Sequence, residues 1–521
     1  MNTRLLYNKG IMLNTLLQWL SLALIIASIF WLVALNVEGW AGQDGTETIR
    51  SGGSLALGCL SFLICLFNRK LFRSTLIDFT ILLVHFYYSA TFFFSGLIPS
   101  QWPYGVKNPE LTVLWTFICF IIALISLCSG IIVGERVTFK ISPHWSLARI
   151  ADKTLNKGTI WFLIILGIVQ TVASMNMGLG NLKDQNAGAN IAWIFSIISP
   201  TTIMLLAQCI FIYYRFVSKR DVSKLLWVSI FCILILQVFL SFLVGNRSSI
   251  VAVAMNLLFC YAACRNFSAV TFKSKLLIVI GAVASLSFVL FPLATFIRSI
   301  KNGTIDLTVL EPAIEHLVSL FDSRYFSTFI EPAVKRLSNF GYMCVSVGAF
   351  LFDQMPVNSE VIGFQNFLKT AINQMVPTDP FDAIPTQLTP SFVFGMRPLS
   401  DYRTFYFSEP YTFVGIAIIF TSYFFPLYLI GFGFVFGTIY RHFRDRFDLF
   451  SVFCKVTIFC LLSIFIGGYA LEHIPIYIFN HALVFGFLLA ARTLRPLFIG
   501  NNNQIHAEIP KTEQLSEENS R

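Results

Sequence analysis

Residues 111–133, LTVLWTFICFIIALISLCSGIIV, run for 23 positions without a charged side chain, and Glu135 and Arg136 follow directly. As helix this stretch is about 34 Å long, enough to cross a hydrocarbon core of roughly 30 Å. Where water is absent, backbone polar groups must pair within the segment, and a helix satisfies that condition. Eleven further runs share this character, near 11–35, 53–67, 76–97, 159–177, 191–214, 225–243, 249–264, 276–297, 414–439, 449–468 and 478–491. The expected fold class is therefore an all-α polytopic membrane protein of about twelve transmembrane helices.

Composition agrees with the patterning. The chain has 521 residues, 56% hydrophobic and 12% charged, with 55 phenylalanines. A soluble domain carries about 25% charged residues. The first run is too long for a signal-peptide core and lacks a small-x-small cleavage site, so it reads as a retained span. The 11 cysteines lie almost entirely inside apolar runs, with no CxxC pair and no Cys/His cluster, as small buried side chains do.

The net charge of +10 is not spread evenly. If the N-terminus is cytoplasmic, the inward connections are 68–74, 134–158, 215–224, 265–275 and 441–448. With both termini these hold 24 of the 37 lysines and arginines. The short outward connections carry only Arg50, Lys107, Lys183 and Arg247. Basic residues accumulate on the cytoplasmic side of membrane proteins, so the charge reports orientation and contact with anionic lipid, not nucleic acid. Both termini are expected in the cytoplasm, and the polar stretch 493–521 reads as a disordered tail there.

One large segment, 298–410, falls outward between a membrane domain of nine spans (1–297) and one of three (411–492). It is rich in proline and charge. "TVLEPAIEHLVSLF" and "STFIEPAVKRLSNF" each open on Glu-Pro-Ala, which suits a helix N-terminus. "NSEVIGFQNFLKTAINQMV" offers Asn358 or Ser359 as a cap and apolar positions three and four apart. A loop of this length without secondary structure is improbable, so amphipathic helices at the outer interface are expected. The acid pair in "DPFD" (379–382) is flanked by prolines and reads as a turn, not a metal site.

Walker, GxSxG, HExxH and Rossmann patterns are all absent. Instead, the outward side holds Arg247, on a Gly245-Asn246 hinge between two apolar runs, and Arg298, Arg324, Arg336, Arg397 and Arg403. A guanidinium pairs two phosphate oxygens at once and keeps its charge at low dielectric. Arginines beside apolar helices suit an anionic headgroup on a long hydrocarbon tail, although each alone would also serve as a snorkelling or ion-paired residue. The turn "GGYALEHIPIYIFNH" adds Glu472, His473 and His481, which suit proton transfer from a hydroxyl or an interfacial anchor equally. Asp78, Lys455 and His85 read as packing or solvation residues, His85 standing alone and Lys455 snorkelling inward.

This layout resembles the Wzy-type polymerases of O-antigen and exopolysaccharide repeat units. The likeness rests on the Gly-x-Arg-Ser hairpin at Arg247, "VIGFQNFLKTAINQMVPTDPF" in the large loop, and "SEPYTFVGIAIIFTSYFFPLYLIGFGFVFG" entering a Gly/Phe-rich span. The resemblance implies a bacterial inner-membrane glycosyltransferase using neither nucleotide sugar nor metal. Its substrates would be undecaprenyl-pyrophosphate-linked oligosaccharides, with a flippase and a chain-length regulator as pathway partners. These outward arginines and His481 would hold pyrophosphate and glycan; Glu472 or His473 would serve as the base. An O-antigen ligase shares the loop and arginines, and a lipid-linked oligosaccharide flippase is the rival from another class. A transporter would be expected to show internal repeats and midplane charges, and neither is evident.

Overall fold

The computed structural model describes residues 11–37, 46–89, 106–137, 157–176, 200–217, 247–264, 271–272, 340–353, 364–375, 412–468, 474–475 and 477–486, with a few isolated positions. Apart from a two-residue antiparallel bridge, Ile11–Met12 with Thr271–Phe272, every described element is helical. The helices are α1 (Leu13–Val37), α2 (Thr46–Phe67), α3 (Thr75–Val84), α4 (Pro109–Arg136), α5 (Lys157–Asn176) and α6 (Pro200–Phe216). They continue with α7 (Arg247–Ala263), α8 (Phe340–Phe352), α9 (Phe364–Met375), α10 (Phe413–Thr421), α11 (Phe425–Arg444) and α12 (Leu449–Ile466). A π-turn, Asn68–Phe72, prolongs α2, and residues 477–486 are helical.

Five segments are long and apolar enough to cross a membrane: Leu13–Leu35, Glu47–Phe72, Pro109–Arg136, Phe413–Arg444 and Leu449–Ile466. The runs predicted at 225–243 and 276–297 lie outside the described residues, except for Phe296.

The tightest contact joins α4 to α11, and glycine makes it possible. Gly130 and Gly134 lie one turn apart on α4, as Gly433 and Gly437 do on α11. A Cβ on Gly130 would strike the Ile430 carbonyl, and one on Gly134 the Phe434 carbonyl. From the other side, Gly433 faces the Leu127 carbonyl and Gly437 that of Ile131. Lipid provides no hydrophobic drive between helices, so close backbone approach through small residues holds them instead. Residue numbers rise together along the two helices, so α4 and α11 run parallel. That is the relative sense which the alternation assigns to the fourth and tenth runs.

Elsewhere the core is phenylalanine packed on phenylalanine. Phe79 stacks on Phe459 at 4.4 Å, with Phe259 at 5.7 Å from Phe79 and Tyr440 at 5.7 Å from Phe459. This joins α3, α7, α11 and α12 around one aromatic cluster.

The run predicted at 414–439 is not one rod. Ser422, with φ 47°, breaks it, and α11 begins after a short 3-10 turn. Phe413 lies 6.2 Å from Phe465 and Phe432 lies 4.6 Å from the same ring. In a straight helix those 19 steps would span about 28 Å. The short α10 therefore folds back across the end of α11, whose 20 residues alone measure about 30 Å. Two hydroxyls hold the break in place: Ser422 Oγ donates to the Phe350 carbonyl at 3.1 Å, and Tyr423 Oη donates to that of Leu351. Both carbonyls belong to the last turn of α8, which has no intrahelical donors for them.

Helix α8 lies inside the segment expected to be an outward loop, yet it is apolar and buried. Met343, Cys344, Val345 and Val347 are at most 1% exposed. It packs on α10 and on α4, where Trp115 meets Phe352 at 5.7 Å. Helix α9 falls within "NSEVIGFQNFLKTAINQMV" and is amphipathic: Thr370 and Ala371 are buried while Gln365 and Lys369 are exposed. The cap candidates Asn358 and Ser359 lie outside the described residues. Only Ile314, Glu315, Val318 and Ser319 of the first Glu-Pro-Ala segment and Phe340 of the second are described, all helical.

Candidate functional site

Arg247 is the first residue of α7, and the hinge expected at Gly245-Asn246 lies outside the described residues. The first turn of a helix presents backbone N–H groups without intrahelical acceptors and carries partial positive charge. A helix N-terminus favours an anion, and arginine is a residue type that binds one. Arg298, Arg324, Arg336, Arg397, Arg403, Glu472 and His473 lie outside the described residues.

His481 is described, and it does not sit at the outward turn where the sequence reading put it. Its ring lies 4.1 Å from Tyr477 and 5.4 Å from Phe453. Phe453 is in the first turn and a half of α12, fourteen residues and about 21 Å from the turn at Gly467. His481 Nδ1 bonds the Tyr477 carbonyl at 2.7 Å within its own helix, and its Nε2 is buried without a hydrogen-bond partner. The side chain is an imidazole packed between aromatic rings, one helix turn after Tyr477. Glu472 and His473 themselves lie outside the described residues.

The groups that the described structure does bring together lie at the opposite end of the bundle. Asp78, in the first turn of α3, accepts from Asn14 Nδ2 and Asn68 Nδ2, both 2.7 Å from Oδ1. Asn14 also donates to the Cys65 carbonyl at 3.1 Å. Asn68 clamps Ser74 twice, donating to its carbonyl at 2.8 Å and accepting from its N–H at 2.9 Å. Ser74 caps α3 by accepting from Ile77 N, and its hydroxyl donates to Glu135 Oε1 at 2.5 Å. Glu135 Oε2 lies 3.5 Å from Arg444 Nη1.

Six side chains thus tie α1, α2, α3, α4 and α11 into one hydrogen-bonded knot. Buried carboxylates are tolerated because donors surround them; removing one donor leaves a charge without compensation. The sequence reading named Asp78 as a packing residue but passed over Glu135, Asn14 and Asn68. A signal was available: an acid or amide at the end of an apolar run must find a partner if that end is buried. All the amide groups in the knot are engaged, and among the described residues no group of three metal-ligating side chains occurs. The knot holds helices together and offers no free nucleophile.

Two other expectations resolve. His85 is not alone, since its Nε2 lies 2.9 Å from Ser21 Oγ. Lys455 is fully buried and reaches toward the end of α12 that starts at Leu449, donating to the Arg446 carbonyl at 2.9 Å and lying 4.3 Å over the Phe447 ring. Of "DPFD" only Phe381 is described; Asn373 grips its backbone from both sides, at 2.6 and 3.1 Å. Compared with protein-family models, curated proteins and solved structures, the chain matches none of them.

Proposed function

We propose that this protein polymerises undecaprenyl-pyrophosphate-linked oligosaccharide repeat units on the outer face of a bacterial inner membrane. The observation that carries the proposal is Arg247 as the first residue of α7, since a helix N-terminus and an arginine each favour an anion. The resemblance to the polymerase family supplies the substrate class. In the reaction, a hydroxyl of the acceptor repeat unit attacks the anomeric carbon of the donor glycan. The bond from that carbon to pyrophosphate oxygen breaks, undecaprenyl pyrophosphate leaves, and the hydroxyl proton passes to Glu472 or His473. Cations preorganised at the leaving pyrophosphate lower the barrier by meeting charge as it develops.

The test is the polymer itself, in cells lacking the chromosomal gene and carrying a plasmid copy. Glu472→Gln is expected to abolish the ladder of polymer lengths while leaving protein level and single-repeat attachment intact; His473→Ala does the same if the imidazole is the base. Loss of all attachment, with free polymer accumulating on the lipid carrier, would identify a ligase instead. Unpolymerised lipid-linked units trapped on the cytoplasmic side would identify a flippase.

A further inference from the structure

The π-turn after α2 and the end of α4 form a cationic surface that the internal ion pairs leave unused. Arg69, Lys70, Arg73 and Arg136 are all exposed, and no carboxylate among the described residues pairs with them. Two contacts tie together the segments that carry them. Arg136 Cζ lies 5.5 Å over the Phe72 ring, which pins the end of α4 to the turn. Arg73 adopts the left-handed conformation, φ 52°, and its N–H closes the turn onto the Asn68 carbonyl at 2.6 Å. Just beneath, Ser74 donates to Glu135, and Glu135 takes up Arg444. The local acid is thus buried and occupied, and the exposed cations face outward from it.

An apolar strip leads to this surface. Phe67, the last residue of α2, and Leu71, in the π-turn, lie four residues apart and are 54% and 66% exposed. A ligand matching both features has a phosphate at one end and a hydrocarbon chain at the other.

We infer that the turn Asn68–Phe72 with Arg73 and Arg136 is a binding site for the phosphate headgroup of an acidic phospholipid, its acyl chain lying along Phe67 and Leu71. This inference does not depend on the polymerase reading. It goes beyond a general preference for basic residues on one side, because orientation needs only charge near the membrane end, whereas a site needs these cations in this arrangement. The Asn68–Ser74–Glu135 hydrogen bonds directly under the site would link headgroup binding to the packing of α3, α4 and α11.

The full-length protein in neutral detergent tests it, through the rise in Tm with added phosphatidylglycerol or phosphatidylcholine of matched chains. Phosphatidylglycerol is expected to stabilise at much lower concentration. Arg73→Gln with Arg136→Gln should weaken that preference about twenty-five-fold, about five-fold for each cation lost. Arg446→Gln serves as a control at the same end, because Arg446 is held in the fold through its backbone, which donates to the Phe443 carbonyl at 3.1 Å and accepts from Lys455, and it should leave the preference unchanged. Equal stabilisation by both lipids, or an equal loss in the control, would overturn the site. Stabilisation by glycerol phosphate at the same concentration would also overturn it, by assigning the cations to a soluble anion. If the double variant does not fold, raising salt on the wild type decides: the preference must fall as screening shortens to a few ångströms near 1 M, and a salt-independent preference refutes the inference.

Discussion

Gly433 and Gly431 are two residues apart on α11, and alanine at each should change stability in opposite directions. A Cβ on Gly433 would overlap the Leu127 carbonyl and press on the Ile131 nitrogen, whereas one on Gly431 meets nothing within 4 Å. The obstacle at Gly433 is backbone, so no side-chain rotation relieves it, and α4 and α11 must move apart along the whole glycine seam. Overpacking of this kind costs about 1–3 kcal/mol, and the upper end applies where backbone meets backbone. Alanine returns about 1 kcal/mol through its better helix propensity. Gly433→Ala should therefore lose about 2 kcal/mol net, and Gly431→Ala should be neutral or gain up to about 1 kcal/mol. Thermal unfolding of both variants in the same detergent measures the difference. If Gly433→Ala unfolds at the same temperature as Gly431→Ala, the α4–α11 register described above is wrong.

Three further outcomes are expected. Ser74→Ala removes the hydroxyl that donates to Glu135 and caps α3, and should lower stability by about 1–3 kcal/mol, because an acceptor is left buried without its donor; an unchanged Tm would show that solvent reaches Glu135. Arg247→Ala should insert at normal abundance yet shorten or abolish polymer, while Arg247→Lys recovers only part of the activity, since lysine supplies a point charge without the planar fork. Full polymer length in Arg247→Lys would reduce this residue to an interface anchor. Reporter fusions after Asn302 and Ser400 should report the outer compartment and one after Arg446 the cytoplasm; a cytoplasmic signal at Ser400 would remove the proposed site from the side where it must act.

Hydropathy alone located the helices that structure and sequence share. The uncharged run 111–133 became α4 with two or three residues added at each end, and α1 and α12 match the runs 11–35 and 449–468 to within two residues at either end. That success has a simple cause: the length of an apolar run is a local property, and the bilayer demands it of each segment separately. Side-chain periodicity likewise placed α9, whose buried and exposed faces are written into its own residues.

What the sequence could not decide were the properties that belong to pairs of segments. The glycines at 130, 134, 433 and 437 are visible in the chain, but nothing local says that they face each other across some three hundred residues. Nor does an apolar run announce that it will break: residues 413–444 look like one long span until Ser422 and Tyr423 find the carbonyls of α8. Asp78, Glu135, Asn14 and Asn68 are unremarkable singly, and become a knot only when five helix ends converge. His481 was placed by its position along the chain, and only the fold shows that its ring packs on Tyr477 and Phe453. Local chemistry determined which segments form helices long and apolar enough to cross a membrane; partner choice, helix breaks and the pairing of buried charge depended on long-range contacts that only the folded chain makes.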